Sequence, residues 1–137
     1  MLLRHMSGAA NLNEALLRES ATLAKEAARL EPSSSRAWSG LGAAHLSLHI
    51  NVTGVAEDLH VAHRAFTQAA RVATRASAEQ NADLHLNHAM VLSLLDRIDD
   101  AFAHYQAAHE LDPALGAEAK RAEAWSEIVR VSEVSGA

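Results

Sequence analysis

The segment AFAHYQAAHELDP, Ala101 to Pro113, constrains this chain more than any other stretch. Ala101, Tyr105 and Ala108 fall at helical spacing, on one face of a helix. Asp112-Pro113 then ends that helix, because the residue before a proline is pushed out of the helical region. Small side chains on either side of an aromatic let a second helix approach to ~8–10 Å. Such a helix must have a partner, so the segment predicts a closely packed helical pair. SATLAKEAARLEP, Ser20 to Pro32, closes in the same way.

The rest of the chain reads as helices too. It has 137 residues, enough for one domain, with 6 Gly and 2 Pro to interrupt regular structure. Alanine is abundant and aromatics make up only 4%, which favours helix over strand. A leading helix is predicted over 12–30, with Leu16, Leu23, Ala27 and Leu30 on one face. Ser33–Ser35 offers an N-cap for a helix from Arg36 to His49, with Trp38, Leu41, Ala44, His45 and Leu48 on one stripe. INVTG breaks the pattern. A third helix follows from Ala56 to Thr74, with Leu59, Ala62, Phe66 and Ala69 as its apolar line. RASAEQN reads as a loop, and Ala82 to Leu95 as the fourth helix. DRID is a tight turn into a fifth helix from Asp99 to Leu111. The last helix is expected from Ala117 to Val134.

These segments pair, and the pairs recur. Repeats with a period of about 34 residues mark helix-turn-helix solenoids. AWSGLGAAH, Ala37 to His45, resembles the first helix of a tetratricopeptide repeat, with Trp38, Leu41, Gly42 and His45 at the signature places. AHRAFTQA, Ala62 to Ala69, resembles its second helix. The next unit carries His85, His88, Ala89 and Leu92, then Ala101, Tyr105, Ala108 and Pro113. The expected fold class is all-α, a right-handed tetratricopeptide-repeat superhelix forming a single domain over 1–137. It comprises a leading helix (12–30), a repeat with a lengthened inter-helix loop (36–74), a second repeat (82–113) and a capping helix (117–134). Gly42 and Ala89 are expected where the two helices of each repeat meet, with Ala62 and Ala101 opposite.

Several function classes are excluded or disfavoured. The net charge is −5 with His neutral, and no Lys/Arg cluster stands out, so no direct nucleic-acid partner is expected. There is no cysteine, hence no disulfide or thiolate chemistry. MLLRHMSG has too short an apolar run for a signal peptide, and no window approaches a membrane span. Nine histidines draw the eye, with pairs at His45/His49, His60/His63 and His85/His88. No His-Glu-x-x-His motif accompanies them, so His85 and His88 read as packing residues and no metal or cofactor is expected. No nucleophile motif or Gly-rich phosphate loop is present, so the chain reads as no enzyme.

What remains is a surface for a partner. Asp83 lies near the start of its helix, and Asn87 and Met90 follow on the same face. Arg36 and Ser39 hold the equivalent places in the preceding unit. In a solenoid these positions line a concave groove suited to an extended peptide. A carboxylate clamp is not expected, because Ser39, Ala43, Leu86 and Met90 include no basic residue.

SLHI, RASAEQNADLHLN and ELDPA, together with AWSGLGAAHLSL and its lengthened loop, resemble the family of tetratricopeptide repeat protein 5 (Strap). The resemblance runs from about Arg36 to Glu118. It implies a cytoplasmic or nuclear adaptor that recognises the N-terminus of nascent tubulin at the ribosome and triggers decay of tubulin messenger RNA. A role as a transcription cofactor is also implied. The aspartate of DLHLN, one of that family's peptide-contacting residues, maps onto Asp83. The glutamate that follows LDP in the family falls at Ala117 here, with Glu118 beside it. The family carries further repeats before this region and an OB-fold after it, so this chain is expected to be either a fragment or a minimal relative.

Two functional expectations follow. In the first, the chain is a peptide-binding adaptor whose groove uses Arg36, Ser39, Asp83, Asn87, Met90 and Glu118. In the second, it is a structural solenoid segment that assembles domains or a homo-oligomer. The second expectation requires exposed apolar surface on the leading helix.

Overall fold

The computed structural model describes residues 2–73 and 81–115. Every regular element among them is helical. The chain groups into two compact units, Met1–Thr74 and Arg75–Ala137. The expected capping helix over 117–134, the loop over 75–80, Thr74 and Glu118 lie outside the described residues.

The first unit holds α1 (Leu2–Leu30), α2 (Ser35–Leu48) and α3 (Ala56–Val72). The leading helix starts at Leu2, not near residue 12. Gly8 and a run of polar residues do not stop it, because one glycine costs a helix only ~1 kcal/mol. Glu31-Pro32 ends α1 as expected. Ser34 caps α2, its hydroxyl accepting from the Ala37 N–H at 3.1 Å. The Trp38 indole N–H donates to the Pro32 carbonyl at 2.8 Å, fixing the chain's turn into α2.

α2 packs on both neighbours. Phe66, fully buried on α3, sets the distance to α2. A Cβ at Gly42 would stand 2.8 Å from the Phe66 ring, closer than side chains tolerate. Glycine there is therefore a packing requirement. Leu59, Ala62, Phe66 and Ala69 are all buried, as the periodicity of α3 predicts. Ser35 Oγ donates to the Ala69 carbonyl at 2.8 Å, tying the start of α2 to the end of α3.

α1 turns its alanines to α2. Ala21 packs with Ala44 and Leu48, and Ala28 with Leu41 and Ala65. The leucine line falls on the opposite face, where Leu12, Leu16, Leu23 and Leu30 are each more than half exposed. Small residues bring α1 against its neighbour, with Leu17 packed beside them and the leucine line left outside.

The connection between α2 and α3 also differs from the sequence reading. His49–Thr53 is not a loop but a π-helical turn continuing α2. The Gly54 N–H donates to the His49 carbonyl at 3.0 Å and closes it. Gly54 sits at φ 60°, the left-handed region where glycine is strain-free.

The second unit holds α4 (Ala82–Leu94), α5 (Ile98–Leu111) and a 3-10 turn at Pro113–Leu115. Asn81 caps α4, its Oδ1 accepting from the Leu84 N–H at 2.9 Å. The α4–α5 turn is tight. Asp96 takes φ 62°, and the Arg97 N–H donates to the Leu92 carbonyl at 2.8 Å. The core is Ala89, Leu92, Ala101, Tyr105 and Ala108, with Leu86, Met90 and Phe102 packed around it.

Candidate functional site

Polar side chains stand out in three places. The first is the face of α4 that carries Asp83, Asn87 and Met90. Asp83 is exposed in the first turn, while Asn87 and Met90 are half-buried. Met90 leans on the alanine–tyrosine core. Asp83 and Asn87 have no side-chain partner among the described residues, although the residues around them do. Asn81 caps the helix, His85 bonds to His104, and Ser93 Oγ donates to the Tyr105 hydroxyl at 3.3 Å. In the first unit Arg36 is exposed on α2, and Ser39 is half-buried with its Oγ enclosed and unpartnered. Further along α2, Leu46 is buried and Ser47 half-buried. Glu118 lies outside the described residues.

The second place is a pocket of about 360 Å³ in the first unit. Arg18, Ala21, Thr22 and Lys25 of α1 line it, with His45 and Leu48 of α2 and Asp58 of α3. Asp58 is its hub. Oδ1 takes a hydrogen bond from His45 Nδ1 at 2.9 Å, and Oδ2 takes one from the Thr53 hydroxyl at 2.6 Å. Burial works to raise the Asp58 pKa. The bonds from Thr53 and His45, and the charges His45 and His49 can carry, outweigh it and hold the carboxyl below its usual range. An ionised carboxylate only accepts, so Nδ1 of His45 donates the proton of this bond. The π-turn makes this possible. It places Thr53 beside Asp58 and is itself held by His49 Nδ1, which donates to the Val55 carbonyl at 2.9 Å.

The third place is a trio of imidazoles in the second unit. His85 Nδ1 lies 3.0 Å from His104 Nδ1, so one ring donates and the other accepts. The His104 ring centroid lies 5.2 Å from that of His85 and 4.5 Å from that of His88. His88 is buried, and burial pushes the His85 pKa below its ordinary value. Among the described residues no group of three or more His, Cys, Asp or Glu is arranged to hold a metal ion. His85 and His88 pack within the helical pair, with His85 hydrogen-bonded across it.

Sequence reasoning missed His104 and the His45–Asp58 pair. His104 sits inside the motif that identified α5, where its neighbours Ala101, Tyr105 and Ala108 took the attention. Asp58 follows the inserted turn, and nothing in the spacing shows how far that turn folds back.

No helix among the described residues is long and apolar enough to cross a membrane. Comparison with known proteins found no matching family model and no matching curated relative.

Proposed function

We propose that the chain is a tetratricopeptide-repeat-type adaptor that binds an extended peptide and carries out no chemistry on it. Both helical pairs support the repeat reading. Each closes a small residue of its first helix against an aromatic of its second, Gly42 against Phe66 and Ala89 against Tyr105. The observation that carries the binding reading is the α4 face. Asn87 offers an amide with no side-chain partner among the described residues, with the Asp83 carboxylate one turn before it and an adaptable apolar Met90 one turn after. This face suits a peptide with a basic residue near its start. The resemblance to the family of tetratricopeptide repeat protein 5 makes the N-terminus of nascent tubulin the specific candidate, met at the ribosome in the cytoplasm.

A peptide beginning Met-Arg-Glu, titrated against the wild type and Asp83→Lys, tests this reading. The substitution removes a charge-assisted contact and should cost ~1.5–3 kcal/mol. Equal affinities for the two proteins would discard the α4 face as the site.

A second reading has its own observation. Leu12, Leu16, Leu23 and Leu30 form an exposed stripe on α1, as a structural segment that docks neighbouring domains or a second copy requires. Light scattering decides here. A monomer at high concentration whose α1 stripe binds no hydrophobic dye would count against it.

A further inference from the structure

Two imidazoles at the end of α2 share one arrangement, and the α4 reading uses neither. His45 and His49 are four residues apart. The His49 N–H donates to the His45 carbonyl, so one unbroken helical turn separates them. Their side chains therefore leave α2 on one face, with Cβ atoms ~5–6 Å apart. The backbone sets that spacing. Both rings are half-buried.

Each ring is anchored at the same nitrogen. His45 Nδ1 donates to Asp58 at 2.9 Å, and His49 Nδ1 donates to the Val55 carbonyl at 2.9 Å. Nε2 is the atom that each ring still has to offer. Among the described residues nothing bonds to either Nε2, and neither is an enclosed atom without a partner, so both reach solvent. A metal ion takes Nε2 in place of a proton, so the charge of the ring in the free protein does not decide this availability.

A histidine that ligates a metal almost always gives its other ring N–H to a carboxylate or a backbone carbonyl, which orients the ring and makes it a better ligand. Here one ring has the first kind of anchor and its neighbour the second. Both anchors are supplied at the inserted π-turn, Val55 just past its end and Asp58 in the first turn of α3. Single π-turns within helices frequently mark functional sites. His85 and His104 differ, since each commits Nδ1 to the other.

We propose that His45 and His49 hold a divalent transition-metal ion of the zinc class through their Nε2 atoms, with Asp58 and the Val55 carbonyl as positioning groups. Imidazole nitrogens select such an ion over magnesium or calcium, which prefer oxygen ligands. Two protein ligands leave the remaining positions to water, unlike a closed structural zinc site. A two-histidine site also agrees with the lack of any three-residue metal group among the described residues. The site goes beyond the adaptor reading and does not rest on it.

Zinc chloride titrated into the whole chain, stripped beforehand with a chelator, tests the site in the imidazole nitrogen spectrum. Nε2 of His45 and of His49 should shift along one binding curve, while both Nδ1 atoms stay protonated. Calcium chloride should shift neither. His49→Gln should weaken zinc binding at least about tenfold, since losing a ligand costs no less than losing its anchor. His60→Gln, at an exposed place on α3, should leave it unchanged. The wild-type spectrum decides even if a variant fails to fold. Zinc that leaves His45 and His49 unshifted, shifts only one of them, or strips the proton from either Nδ1 overturns the site. So does equal zinc affinity in a folded His49→Gln variant.

Discussion

The α2–α3 and α4–α5 pairs follow one packing rule and depart from each other at the turn. In the first, glycine at 42 admits a phenylalanine ring that no other side chain would leave room for. In the second, Ala89 faces a tyrosine whose hydroxyl also bonds to Ser93. Asp96 alone makes the second turn, in a left-handed conformation that aspartate tolerates. The first turn inserts five π-helical residues and ends on Gly54. The added residues bring Thr53 and His49 to the base of α3 and complete the Asp58 network. The small-against-aromatic contact is thus shared by both pairs, while the polar network enters through the connection, whose Val52 also packs against Ala21, Ala44 and Leu48.

The sharpest way to break the comparison is to remove each aromatic. Phe66→Ala should cost ~3–5 kcal/mol in urea unfolding, because the ring is wholly enclosed. A much smaller loss would mean that the first pair is not organised around it. Gly42→Ala should cost ~1–3 kcal/mol by overpacking. Combined with Phe66→Leu the penalty should shrink, and strict additivity in that double-mutant cycle would show that the two positions do not touch.

Acid separates the two regions further. Asp58 has a depressed folded pKa, so its contribution is present above the ordinary carboxylate value of ~3.9 and is lost as pH falls through the folded value. His85 is also depressed, with the shift centred on imidazole. Its contribution is complete above ~6.5 and declines as pH falls below that. Amide exchange should therefore quicken in α4 and α5 at mildly acidic pH, before α2 and α3 respond. Replacing His85 by Gln should flatten the first step. Simultaneous loosening of both regions would refute the separation. The smallest effect is Tyr105→Phe, which removes a single hydroxyl bond and should cost ~0.5–1.5 kcal/mol.

Much of this architecture was legible in the residues. The serine N-cap signal placed the start of α2, the proline signals placed the ends of α1 and α5, and the small–aromatic–small spacing placed the buried faces of α3 and α5. The start of α1 was not legible, since no cap or breaker marks Leu2. The binding residues were legible only as positions on a face. Spacing put Asp83, Asn87 and Met90 together but could not show that Asn87 lacks a partner while His85 finds one.

The residues alone fixed where the chain coils and which side chains share a line along each helix, because those follow from local backbone geometry. They did not fix which line turns inward. On α1 the leucines look like the core and the alanines like filler, yet the alanines meet α2, because close approach of two backbones is set by the smallest groups between them. The pairings of His45 with Asp58 and of His85 with His104 likewise exist only once separate helices pack side by side, since 13 and 19 residues of chain separate the partners.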